Sequence, residues 1–370
     1  GGRLSAAGAF GVNIEALARP EVLALAPYVS ARSSAAADGV LLNANEAPHA
    51  LTGNGPWEAL ELHRYPPPQP TDLRERLASL YGIDADRLLV TRGSDEGIDL
   101  LTRVFCRPGR DCILETIPCF GMYRVAAGIQ GASVVQVERD PATLAVRSDA
   151  LLDAIRTTED LKLVFLTSPS NPTGDTLPEG LLAKVLEAAE GRALVVLDEA
   201  YIEFCRRPSA ASEVARHPHL VVLRTLSKAW GAAGLRCGAV IADPAVIGLL
   251  GRVMAPYPLT APAIAAALAV TGEAGRAAQA AMLRDLEREK GRLVRELTAR
   301  PWVRDLWPGE ANFVLIRVDD GPSLVRHCAA HGVRVRDFHG QPLLDHCVRL
   351  TVGGADDMNA LRAALDAYGD

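Results

Sequence analysis

At 370 residues, with 49% apolar and 23% charged residues, the chain is long enough for two hydrophobic cores and has the mixed composition of a globular protein, not a disordered or fibrous one. Its formal net charge of −6 excludes a general affinity for nucleic acid, and no stretch reaches the about 20 apolar residues that a membrane helix needs. The 7 cysteines are an odd number without disulfide-scaffold spacing, which predicts a reducing compartment, the cytoplasm.

The first 50 residues carry no clear strand pattern and are expected to form an arm that docks elsewhere. The apolar run near the start is short and broken by glycines, which argues against a signal peptide. From position 88 onward, short β-branched and leucine-rich runs alternate with helical patterns: "LLVT" 88–91, "CILE" 112–115, "SVVQV" 133–137, "KLVFLT" 162–167, "ALVVLD" 193–198, "LVVLRT" 220–225 and "GAVIA" 238–242. Continuous apolar strands separated by helices predict an α/β fold with a buried, mainly parallel seven-stranded sheet flanked by helices. After "APYPLTAPA" 255–263 the pattern changes to one long helix over about 263–299 and a smaller α+β segment. The expected division is an arm over 1–50, a large domain over 51–257 and a small C-terminal domain over 258–370.

In an open parallel sheet, ligands bind beyond the carboxyl ends of the strands, so the loops there carry the candidate chemistry. After 88–91, "RGSDEGIDLL" turns through Gly93 and Ser94 into a helix whose first amides suit a phosphate, although Asp95 and Glu96 are equally readable as caps. After 162–167, "SPSNPTG" presents Asn171 in a turn that its prolines and glycine explain without any function. After 193–197, "DEAYIEF" puts Asp198, Glu199 and Tyr201 at the sheet edge, where a carboxylate is often only a cap or an ion-pair partner. After 220–225 come Ser227, Lys228 and Arg236. Together these loops offer an anion site, a carboxylate, phenolic-oxygen donors and an amine, the set that pyridoxal phosphate requires.

The motifs "RYPPPQP" 64–70, "TRGSDEGIDLL" 91–101, "PCFGMY" 118–123, "SPSNPTG" 168–174, "DEAYIEF" 198–204, "RTLSKAWGAAGLRCG" 224–238, "VRDF" 335–338 and "VRLTVGG" 348–354 occur in this order, with "PYVSAR" 27–32 and "LLNANEAP" 41–48 before them. In this arrangement the chain resembles the fold-type I pyridoxal-phosphate aminotransferases, and within them the histidinol-phosphate subgroup. The resemblance implies that Lys228 carries the cofactor and moves the substrate Cα proton, that Asp198 holds the pyridine nitrogen, and that Asn171 and Tyr201 hold the ring oxygen. It also implies that Phe120 stacks on the ring and that the phosphate lies on the amides near Ser94 and Asp95 with Ser227 and Arg236. Tyr65 is expected to reach the neighbouring site of a homodimer. Tyr28, Arg336 and Arg349 are expected to bind the substrate. The implied reaction moves the amino group of L-glutamate to imidazole-acetol phosphate, giving 2-oxoglutarate and L-histidinol phosphate.

Phe120 stands where the subgroup pattern has tyrosine, Ser170 where asparagine is frequent, and Ala47 where a bulkier residue is common. Aromatic amino-acid transamination and threonine-phosphate decarboxylation are the alternatives on the same cofactor, and a sensor that keeps only the pocket is a third. Ser227 and Lys228 as a Ser-Lys hydrolase pair lack the required spacing. "HCAAH" 327–331 with His346 and Cys347 lacks a paired-cysteine zinc pattern, so no metal site is expected.

Overall fold

The computed structural model describes residues 12–26 and 58–369. Tyr28 and Ala47 lie outside the described residues. The first described segment forms two short helices, α1 (Ile14–Leu17) and α2 (Pro20–Leu23). They dock on the large sheet's helical layer: the Arg19 amide donates to Val104 at 3.0 Å, and Ile14, Leu17 and Val22 are buried in the core on that face.

Next come α3 (Thr71–Tyr81), β1 (Leu88–Thr91), α4 (Ser94–Phe105), β2 (Cys112–Ile117), α5 (Met122–Gln130), β3 (Ser133–Glu138), α6 (Ser148–Thr157), β4 (Leu161–Thr167), α7 (Leu181–Ala189), β5 (Leu194–Asp198), β6 (Leu220–Thr225) and β7 (Gly238–Ile241). The strands form a 7-stranded sheet in the order β1-β7-β6-β5-β4-β2-β3. Only β7 runs against its neighbours, while the rest of the ladder is parallel. Strands β1, β2, β5, β6 and β7 are buried at every position, because helices cover both faces of the sheet. That is why they read as unbroken apolar runs and not as alternating ones. One face packs on α3, α6 and α7, the other on α1, α2, α4 and α5.

The chain continues through α8 (Pro244–Val253), α9 (Ala261–Val270) and α10 (Glu273–Thr298). The single helix expected over 263–299 is therefore two. Thr271 caps the first and Gly272 starts the second with an extended backbone. A Cβ on Gly275 would fall 2.1 Å from the Val270 carbonyl oxygen, so the close turn between the helices depends on glycine.

The last elements are β8 (Val303–Trp307), β9 (Phe313–Val318), α11 (Gly321–Ala330), β10 (Arg336–Asp337), β11 (Cys347–Thr351) and α12 (Ala355–Gly369). They build a 4-stranded sheet in the order β10-β11-β9-β8, whose core joins Leu293 and Leu297 of α10 to Leu324 and Leu361. Leu259 and Ala267 instead bury in the first core. No helix among the described residues is long and apolar enough to cross a membrane. All 7 cysteines are free.

Candidate active site

Four strand ends deliver the site. β1 ends at Thr91, and Gly93 at φ 78° turns the chain into α4 with no side chain capping the helix. A Cβ on Gly238 would lie 2.7 Å from the Gly93 carbonyl carbon, so β7 presses against this turn as only a glycine allows. β4 ends at Thr167, β5 at Asp198 and β6 at Thr225. The loops beyond them, with Phe120 from the β2–α5 turn and Arg349 from β11, enclose a cavity of about 230 Å³. Of the residues singled out from the sequence, Ser94, Asp95, Phe120, Asn171, Asp198, Tyr201, Ser227, Lys228, Arg236 and Arg349 line it together.

At the helix end of the cavity, Arg236 holds an αL backbone at φ 51°. It donates to Ser227 Oγ at 3.3 Å and to Asp95 Oδ2 at 3.1 Å. The Thr225 hydroxyl lies 2.9 Å from Ser227 Oγ and accepts from the Ser227 amide at 3.1 Å, fixing that serine. Hydroxyl, guanidinium and the uncapped start of α4 thus face one point, an arrangement suited to a phosphate.

At the floor, Asp198 is 3% exposed. It accepts from Tyr123 Oη at 2.8 Å and from the Ala200 amide at 3.0 Å. Burial raises its carboxyl to about 6; the two hydrogen bonds and Lys228 oppose that rise, and Asp95 adds to it. A buried carboxylate with neutral donors and, among the described residues, no ion pair suits a cationic ring nitrogen. Lys228 opens onto the cavity with its Nζ 5.7 Å from the Tyr201 ring centroid. Partial desolvation holds its amine below the ordinary lysine value, and the next largest cause is Arg349, ahead of Arg236. Tyr201 itself is pushed up to about 12 by burial.

Arg349 donates to Asn171 Oδ1. Its Nε is buried without a partner among the described residues. Arg336 is its cross-strand partner, so two guanidiniums leave the same face of the small sheet side by side. Like charges placed so are unfavourable unless an anion bridges them. Arg336 lines not the first cavity but an adjoining one of about 500 Å³, which shares Phe120, Asn171 and Arg349 with it. Tyr65 lines neither; it is 47% exposed and stacks on Tyr257 with ring centroids 4.4 Å apart.

Two supporting residues carried no role in the sequence reading. Tyr123 lies in the quoted "PCFGMY" motif, and its hydroxyl is 2.7 Å from Thr167 Oγ1 as well as bonded to Asp198. Arg139, 2% exposed, donates to Ser170 Oγ at 2.9 Å and to Asp175 at 2.8 Å, bracing the turn that presents Asn171. This gives the serine at 170 a partner. A lone arginine after an edge strand offered no signal of that kind. His327 is not part of any metal cluster among the described residues; its Nε2 lies 2.9 Å from the Ala364 carbonyl.

Residues 47–367 match the sequence pattern of aminotransferase class I and II. The chain is 43% identical over 357 residues to the histidinol-phosphate aminotransferase of Stenotrophomonas maltophilia, covering 96% of this chain and 97% of the relative. It is 40% identical to that of Aeromonas salmonicida, covering 96% and 98%. The crystal structure of histidinol-phosphate aminotransferase from Sinorhizobium meliloti in complex with pyridoxal-5'-phosphate superposes with a TM-score of 0.75 at 23% identity, covering 87% of this chain and 89% of that one. The chain belongs to the class I and II aminotransferases.

Proposed function

We propose that this chain is a pyridoxal-phosphate-dependent transaminase of histidine biosynthesis, converting imidazole-acetol phosphate and L-glutamate to L-histidinol phosphate and 2-oxoglutarate. The observation that carries the reading is the convergence of Lys228, the buried Asp198 and the Arg236–Ser227 pair on one cavity. The names of relatives at 40% identity and above over nearly the whole chain support the substrate.

The residues fit the cofactor at both ends. Asp198 has neutral donors and wants a cation; the Arg236, Ser227 and α4 end wants an anion. When bound, pyridoxal phosphate supplies an aldehyde that takes up the amino group and a ring that draws off the electrons of the Cα–H bond. Asp198 would keep the ring nitrogen protonated. Asn171 and Tyr201 would hold the ring oxygen, and Phe120 would cover one face. Ser94, Asp95, Ser227 and Arg236 would seat the phosphate, with Asp95 contributing its amide while its carboxylate orients Arg236.

Lys228 is the group that carries the cofactor and removes and returns the Cα proton. Its depressed basicity leaves more free amine near neutral pH than an ordinary lysine has. Arg349, with a free buried N–H, would take the glutamate carboxylate, and Arg336 the phosphate. Guanidiniums bind both groups with the same fork geometry, which lets one pocket serve two substrates in turn.

A cofactor domain covers 51–257 and a small domain 258–370, with α9 leaning on the first core and α10 on the second. The active unit is a cytoplasmic homodimer in which Tyr65, surface-placed in one chain, serves the partner site and Tyr28 the substrate. The test is a coupled assay on purified protein with L-histidinol phosphate and 2-oxoglutarate. Glutamate should appear in step with loss of the amine. Release of CO₂ without need for 2-oxoglutarate would instead identify the decarboxylase, and preference for aromatic amino acids the aromatic aminotransferase.

A further inference from the structure

Among the described residues three guanidiniums, not two, line the cavity beside the Lys228 site. Arg336 and Arg349 arrive from β10 and β11, and Arg124 from the first turn of α5; no carboxylate lines it among the described residues. Arg124 is tethered from behind. Its Nη1 donates at 3.2 Å to Oε1 of Glu115, a carboxylate wholly buried in β2. The same Oε1 accepts from Gln136 Nε2 at 2.8 Å, and the other oxygen from the Cys119 thiol at 3.4 Å.

The Arg124 side chain nonetheless keeps 41% of its exposure and lines the cavity. It passes close over Gly121, where a Cβ would come within 3.3 Å of Nη2. An untethered surface arginine would spread over many rotamers at an entropic cost to any ligand. Here Glu115 has already selected one, and because that carboxylate lies on the inner side with other donors of its own, the outer N–H groups remain available to an anion.

We propose that Arg124 is a third contact to the anionic end of the substrate, and that it sets the preference for phosphate monoesters over unphosphorylated amines. The identity of the phosphorylated substrate rests on the reading given under Proposed function. A phosphate presents three strong acceptor oxygens and close to two charges. Arg336 and Arg349 are cross-strand neighbours and approach from one sheet. Arg124 lines the same cavity from a separate element, and its charge adds little for a neutral hydroxyl.

The experiment uses the holoenzyme and measures KM and kcat for L-histidinol phosphate and for L-histidinol, with inorganic phosphate as competitive inhibitor. In Arg124→Gln, the KM for the phosphorylated amine and the inhibition constant for phosphate should both rise by roughly fivefold to twentyfold, as fits a half-exposed charge-assisted bond. The kcat and the KM for L-histidinol should stay within about twofold. Arg124→Lys should recover part of the loss, because charge returns without the fork. Glutamine still offers Glu115 a donor. If that variant melts early, the same two-substrate comparison in Arg124→Lys decides the matter. Equal changes for both amines, or no change for either, would overturn the proposal. Failure of the unaltered enzyme to use L-histidinol phosphate would instead sink the proposed function, so the two failures are distinct.

Discussion

Replacing Tyr123 by Phe probes the floor of the site with the smallest perturbation available. The ring should stay in place, because it stacks on Phe165 with centroids 4.6 Å apart, and only the hydroxyl that donates to Asp198 at 2.8 Å is lost. With a carboxyl near 6, Asp198 is about nine-tenths ionised at pH 7 in the cofactor-free protein. A hydrogen bond to a charged group is worth roughly 1.5 kcal/mol, or about one pKa unit, so the variant should titrate about one unit higher. At pH 6 the ionised fraction then falls from about one half to about one tenth, and the cofactor Kd should weaken roughly fivefold on that account. At pH 7 the loss is about twofold, and above pH 8 it should approach a constant ratio.

Fluorescence titration of the apoprotein with pyridoxal phosphate across pH 5.5 to 8.5 measures this. The sign of the stability effect follows from the same shift. The folded carboxyl lies above its unfolded value of 3.8, so its contribution is fully present below about pH 4 and is lost as pH rises through about 6, a change of roughly 3 kcal/mol. Urea unfolding of the apoprotein should therefore show this group weakening the fold toward neutral pH, and in Tyr123→Phe the loss should extend about one unit further. A Kd ratio between variant and parent that does not change with pH would refute the role assigned to the Tyr123 hydroxyl.

Other outcomes follow from particular contacts. Gly238→Ala should destabilise the protein by roughly 1–3 kcal/mol and weaken phosphate seating, since its Cβ would strike Gly93 at the start of α4; thermal melting and cofactor titration measure both. Arg139→Met should cost roughly 3 kcal/mol in urea unfolding, the low end for breaking a buried pair, because Asp175 keeps 36% of its exposure. The same change should lower transamination more than Arg139→Lys does, as the Asn171 turn loosens. Arg236→Gln should raise the cofactor Kd by about tenfold or more with little effect on melting, because the half-exposed guanidinium stabilises the fold little. An equal fall in both would contradict its placement.

The parallel sheet was legible because its central strands are short, largely apolar runs, while the edge strand β3 (SVVQVE) is exposed or half-buried at most positions, and the structure moves the strand ends by a residue or two. The rule that ligands gather at the carboxyl ends of such strands brought Ser94, Asn171, Asp198, Ser227 and Lys228 to one cavity. The break at Thr271–Gly272 was not legible, since Ala-rich helices lie on either side and the necessity of Gly275 comes from the close approach of the Val270 backbone. Position along the chain also says nothing of which charge dominates. Arg236, 8 residues after Lys228 in the sequence, acts on it less than Arg349 from the other sheet does. Tyr123 and Arg139 were invisible as supporting residues because their partners lie 75 and 36 positions away.

Every role proposed for the cavity depends on the ε-amine of Lys228. Borohydride reduction of the purified holoenzyme, followed by peptide mass spectrometry, should place a single pyridoxyl group on Lys228, and Lys228→Ala should lose both the label and the visible absorption band while melting within a few degrees of the parent. A label on another lysine, or an unaltered spectrum and turnover in that variant, would contradict it.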